Sequence, residues 1–189
     1  MEIYLIRHTI PRIEKGICYG QTDIPLENSF HDEAARVMQN LPESFDMVYS
    51  SPSSRCYKLA QLIQPLQLIV QDKRLLEMNF GDWEMKKWDE INQDELQKWT
   101  QDFVNVTVPN GENFIQLNNR VNHFMHELAK QDFKRVAIIT HAGIIRSFVI
   151  SVLEIPMENA FKISIGYGSV TKINIAIDNS YNNLGFLNK

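Results

Sequence analysis

The run Val136-Ala137-Ile138-Ile139-Thr140 has no polar face, and it leads straight into His141-Ala142-Gly143 and a segment with Ile144, Ile145, Phe148, Val149 and Val152 at helical spacing. A strand that is apolar on both faces needs cover on two sides, as in a parallel sheet wrapped by crossover helices. Ile3 to Ile6 is a second short run of this kind. Met47-Val48-Tyr49 and Leu68-Ile69-Val70 read as further strands, and Val170 to Ile177 alternates as a last one with a polar tail behind it.

Helical patterns separate these runs. Phe30, Ala34, Val37, Met38 and Leu41 share one face after the capping-box spacing of Ser29 and Asp32, and Pro42 stops them. A second helix, capped by Ser53 or Ser54, extends through Gln64. Glu77 to Trp83 reads as loop, Glu90 to Trp99 as a polar helix, and Phe103 to Pro109 fits either strand or loop. Asn110-Gly111 marks a turn before a long helix carrying Phe114, Leu117, Val121, Phe124 and Leu128. The alternation predicts an α/β fold, a three-layer sandwich with a mostly parallel central sheet flanked by helices. A chain of 189 residues without repeat or linker fits a single domain over 1–189, since domains run to about 100–200 residues.

Composition narrows the function. Acidic residues outnumber basic ones, 23 to 19, which argues against a nucleic-acid partner. No apolar run reaches the roughly 18–20 residues that cross a bilayer, so no membrane partner is expected. Met1-Glu2-Ile3-Tyr4 has no secretory character, and Cys18 and Cys56 read as free thiols in a reducing, cytoplasmic setting. Oligomeric state is not legible.

In parallel sheets ligands bind beyond the carboxyl ends of strands, and both His8 and His141 stand at such ends. Arg55 opens the helix after Ser50-Ser51-Pro52-Ser53-Ser54, and Glu77 stands in a loop. The unpatterned stretch from residue 10 to 28 is long enough to suggest a functional loop. His123 and His126 share a helix face without a third ligand of suitable spacing, and His31 stands alone, so no metal site is expected. Trp83, Trp88 and Trp99 read as packing residues, Trp83 with a further chance of lining a pocket. Arg146 reads as structural.

Four segments, in order, resemble the histidine phosphatase superfamily with its phosphoglycerate mutase-like fold: Leu5-Ile6-Arg7-His8-Thr9, Tyr49 to Arg55, Leu76 to Glu84, and Thr140 to Arg146. Within it, Gly16-Ile17-Cys18-Tyr19-Gly20-Gln21-Thr22-Asp23, Arg55-Cys56 and the Glu-Met-x-Phe-Gly-x-Trp-Glu stretch are most similar to the α-ribazole phosphatases. The resemblance implies a phosphatase of small-molecule phosphate monoesters that needs no cofactor. It assigns catalysis to His8, Glu77 and His141, and phosphate binding to Arg7, Arg55 and His141. Substrate contacts then fall to Thr9, Tyr19, Gln21, Thr22 and Ala142.

The chemistry suits the residue types. An imidazole attacks phosphorus to give a phosphohistidine. Guanidinium forks match phosphate oxygens, and a charged His141 would add a donor. Glu77 would protonate the leaving oxygen and then activate water, its pKa raised by Phe80 and Trp83. Phosphoglycerate mutase activity is disfavoured because the 10–28 loop carries only Arg12 and Lys15 as cations. A silent phosphate-binding protein would lack the nucleophile or the acid. No Gly-x-Ser-x-Gly elbow supports an esterase. Met85 stands where family members usually carry glycine, predicting a different loop path beyond Glu77, and Pro109 to Asn113 matches its family segment only loosely.

Overall fold

The computed structural model describes residues 1–65, 68–176 and 182–189. Its elements run β1 (Glu2–Arg7), α1 (Phe30–Met38), β2 (Met47–Ser50), α2 (Ser54–Ile63), β3 (Ile69–Gln71), α3 (Gln93–Gln101), α4 (Phe114–Ala129), β4 (Arg135–Thr140), α5 (Ala142–Leu153), β5 (Val170–Asn174) and β6 (Asn183–Phe186). One six-stranded sheet holds them in the order β3-β2-β4-β1-β5-β6. The first four strands are parallel, and β5 and β6 are antiparallel to their neighbours.

Alternation along the central strands builds the layers. Ile3, Leu5, Val136 and Ile138 point into a larger apolar cluster with α4 and α5. Tyr4, Ile6, Ala137 and Ile139 point the other way, against α1 and α2. Each fully buried aliphatic side chain contributes about 1.5–3 kcal/mol, so these two strands anchor both faces. Helix α5 is apolar nearly all round because the sheet, α4 and the 157–162 turn enclose it.

The tail differs from its sequence reading. β6 lies in the segment read as polar, where Asn183 and Leu184 pair with Asn174 and Ile173, and Phe186 meets Tyr4 edge-on. Ile177, the expected end of the last strand, lies outside the described residues. Residues 103–109 form no strand.

Helix caps also differ. The Ser29 hydroxyl bonds the Glu33 carboxylate instead of a backbone N–H, while the other Glu33 oxygen accepts from Ile10 N. Ser53 does not cap α2. Asp23 does so from the long loop, accepting from both Ser54 N and Ser54 Oγ at 2.9 Å. Asn113 and Gln116 form a reciprocal capping box at α4.

The chain leaves β1 toward the α1–α2 face, but leaves β4 into α5 on the opposite face. Two adjacent parallel strands whose connections diverge open a crevice at their carboxyl ends. His8 and His141 are the first residues past those ends. No described helix is long and apolar enough to cross a membrane.

Candidate active site

His8 and His141 meet edge to face with ring centroids 5.1 Å apart, at the base of a cavity of about 240 Å³. The hydrogen bonds fix their tautomers. A backbone carbonyl only accepts, so His8 Nδ1, 2.7 Å from Thr9 O, carries the proton. His8 Nε2 therefore keeps its lone pair, facing Arg55 Nε at 3.3 Å. For His141 the logic is reversed: Arg55 Nη2 can only donate to Nδ1, so Nε2 holds the proton and faces Ser51 Oγ at 2.9 Å.

Both imidazoles have pKa values held well below the ordinary 6.5, by burial first. For His8 the next cause is Arg55; for His141 it is His8, then Arg55. Both rings are thereby biased toward the neutral form, His141 included, which the sequence reading takes as a charged donor. A desolvated ring beside two guanidinium groups cannot hold a second proton cheaply.

Arg55 is fully buried. Its guanidinium donates to the carbonyls of Gly20 and Thr22 as well as to the two histidines. Arg7 donates to Ile165 O at 2.6 Å and lies under the Tyr167 ring, with Cζ 3.6 Å from the centroid. Arg146 joins the cavity wall one turn into α5, donating to Ile163 O at 2.9 Å and facing Phe161. Among the described residues none of these three arginines makes an ion pair. Cations held by neutral carbonyls and ring faces, Arg55 fully buried and Arg7 and Arg146 partly so, leave a site electrostatically ready for an anion.

Glu77 reaches the cavity from the loop after β3. Its carboxylate accepts from Met78 N at 2.9 Å and from Gly143 N at 3.1 Å. Arg120 of α4 fixes that loop by donating to the carbonyls of Arg74, Leu76 and Glu77 while pairing with Glu112 at 2.6 Å. Phe80 lines the cavity beside Glu77, but Trp83 does not: it is buried against Trp99, and Trp88 takes the wall position.

Of the residues proposed from sequence as substrate contacts, Tyr19 and Ala142 line the cavity, whereas Thr9, Gln21 and Thr22 stand off its wall. Thr9 is fully buried and serves through its carbonyl. Gln21 donates to Glu77 O, and Thr22 binds the Glu84 carboxylate by N–H and hydroxyl. These polar side chains shape the loop because its backbone groups need partners.

Sequence reasoning missed Tyr167, whose hydroxyl meets that of Tyr19 at 2.6 Å across the cavity. Its signal was Gly166-Tyr167-Gly168, a turn ahead of the last strand. Because β5 runs antiparallel to β1, that turn lands beside His8, with Gly168 N bonded to His8 O. Met85 takes φ 66°, the left-handed conformation glycine adopts freely, so the backbone there is glycine-like.

His123 bonds Arg74 and Glu127. Among the described residues no cluster of three or more His, Cys, Asp or Glu side chains is arranged to hold a metal.

The sequence profile of the histidine phosphatase superfamily (branch 1) matches residues 3–183. A Hydrogenobacter thermophilus protein provisionally named phosphoserine phosphatase 2 is 31% identical, over 99% of this chain and 95% of its own. The adenosylcobalamin/alpha-ribazole phosphatase of Escherichia coli is 28% identical, over 93% and 90%. The crystal structure of the alpha-ribazole phosphatase from Shigella flexneri superimposes with a TM-score of 0.91 at 26% identity, covering 100% of this chain and 96% of that one.

Proposed function

Because the chain belongs to the histidine phosphatase superfamily and is a phosphatase, we propose that His8 is its nucleophile and that α-ribazole 5′-phosphate is its substrate. The observation that carries the chemistry is the unprotonated His8 Nε2, which accepts from Arg55 Nε, beside a cavity whose wall holds Arg7 and Arg146, none of the three arginines being in an ion pair among the described residues.

Nε2 attacks phosphorus as the ester P–O bond breaks, and Glu77 gives its proton to the departing oxygen. Arg7 and Arg55 hold the equatorial oxygens, with N–H groups at the start of α5 in support. Glu77, now ionised, takes a proton from water, whose oxygen attacks the phosphohistidine. Inorganic phosphate leaves and His8 is restored. His141, neutral, orients Arg55 through its Nδ1. Thr9 serves through its backbone carbonyl, by fixing the His8 tautomer.

The leaving group is inferred from the far wall. Phe80, Trp88, Phe114 and Phe161 line it, a surface suited to a flat heterocycle, and two of the relatives are named as α-ribazole phosphatases. Arg146 supports a second reading, phosphoserine, because its guanidinium would take a carboxylate and a 31% identical relative carries that name. Phosphate release from α-ribazole 5′-phosphate, phosphoserine and common sugar phosphates separates the readings. The α-ribazole ester is expected to give the highest kcat/KM, and His8→Ala should abolish every activity. Preference for phosphoserine would overturn the substrate assignment and leave the nucleophile standing.

A further inference from the structure

The Glu84 carboxylate sits against the backbone of residues 20–22. Gln21 N and Thr22 N each donate to it at 2.8 Å, the Thr22 hydroxyl adds a third bond, and the Gly20 N–H also faces it. Successive N–H groups aimed at one anion form a nest. Gly20 is required for it: a Cβ there would lie 1.9 Å from Met78 O and 3.0 Å from Glu84 Oε1.

The nest has a reverse side. Gly20 C=O and Gln21 N–H belong to one peptide unit, and in a trans peptide they point in opposite directions. Turning the N–H to Glu84 turns the carbonyl to Arg55 Nη2. Thr22 O receives Nη1 of the same guanidinium at 2.8 Å. Arg55 then presents Nε to His8 and Nη2 to His141, both at 3.3 Å.

We propose that Glu84 is a positioning residue: through the rigid Gly20–Gln21 peptide it sets where the Arg55 guanidinium stands relative to His8 Nε2. This rests on the reading that Arg55 binds phosphate oxygens. Glu84→Gln removes the charge and turns an NH₂ group toward N–H donors, so the nest opens and Arg55 loses its fixed carbonyls. Loss of alignment on this scale costs roughly ten- to a hundredfold in rate.

The experiment is a double-mutant cycle on p-nitrophenyl phosphate hydrolysis and vanadate inhibition, with Glu84→Gln, Arg55→Ala and the pair. Glu84→Gln is expected to lower kcat/KM and weaken vanadate binding by similar factors, and to cost less than about twofold once Arg55 is absent. Equal losses in both backgrounds would overturn the proposal, as would unchanged vanadate affinity in Glu84→Gln. If Glu84→Gln does not fold, Thr22→Val removes one bond to the carboxylate, and the same cycle decides. If Arg55→Ala retains vanadate affinity, the fault lies with the phosphate-binding reading and not with the relay.

Discussion

Gly143 and Glu77 are in contact with no space for another atom between them: Gly143 N donates to Glu77 Oε2 at 3.1 Å, and a Cβ on Gly143 would lie 2.3 Å from Oε1. Gly143→Ala should therefore displace the carboxylate while leaving α5 intact, because alanine favours a helix over glycine by about 1 kcal/mol. The expected loss in kcat/KM, which reports the phosphorylation step alone, is roughly tenfold or more on alkyl phosphates. It should be much smaller on p-nitrophenyl phosphate, whose leaving group departs without a proton. Equal losses on both substrates would remove Glu77 from the role of acid.

Stability should fall as pH drops below the ordinary imidazole range. The folded His8 and His141 have pKa values well below 6.5, so in that window the unfolded chain binds more protons. Unfolding is then favoured by acid, the stabilisation being complete above 6.5 and eroding until the folded pKa values are reached. The slope is at most about 1.4 kcal/mol per pH unit for each histidine. Urea denaturation between pH 5 and 8 measures it, and His141→Asn should reduce the slope. An unchanged slope in that variant would mean His141 titrates normally.

Much of this site was readable because rank along a strand is a positional signal. The apolar runs ending at Arg7 and Thr140 place both histidines at the carboxyl ends of strands. Strand direction carries no such mark: Val170–Asn174 alternates equally well either way, so the arrival of Tyr167 over Arg7 was hidden. Thr9, Gln21 and Thr22 stand off the cavity wall for another reason. Sequence displays side chains, yet Thr9 acts by its carbonyl and the other two pack loop against loop. The protonation of His141 depends on burial and on Arg55, neither of which residue type reveals.

Met85 offers a stability test. It holds φ 66° with a side chain that is 51% exposed, so it carries left-handed strain and buries little in return. A non-glycine residue there costs about 1–2 kcal/mol, partly offset by the entropy glycine loses on folding. Met85→Gly should stabilise the protein by about 0.5–1 kcal/mol with kcat unchanged. Chemical denaturation reads the shift, and a destabilised variant would show that the Met85 side chain packs more strongly than its exposure implies.

The tyrosine pair predicts a specific pattern of non-additivity. Tyr19 and Tyr167 share one hydroxyl–hydroxyl bond of 2.6 Å, joining the 10–28 loop to the turn before β5. Removing either hydroxyl breaks the same bond, so Tyr19→Phe and Tyr167→Phe should each raise KM by about two- to fivefold, the worth of one hydrogen bond. The double variant should match the singles. Tyr167→Ala goes further, because it also strips the ring lying 3.6 Å from Arg7 Cζ. Arg7 keeps its bond to Ile165 O but can then tilt, and cation–π contacts of this kind contribute about 0.5–2 kcal/mol. A further loss in kcat/KM is expected, shared by vanadate affinity. If the two phenylalanine variants are instead additive, each hydroxyl contacts substrate independently, and the bond between them is broken in the working enzyme.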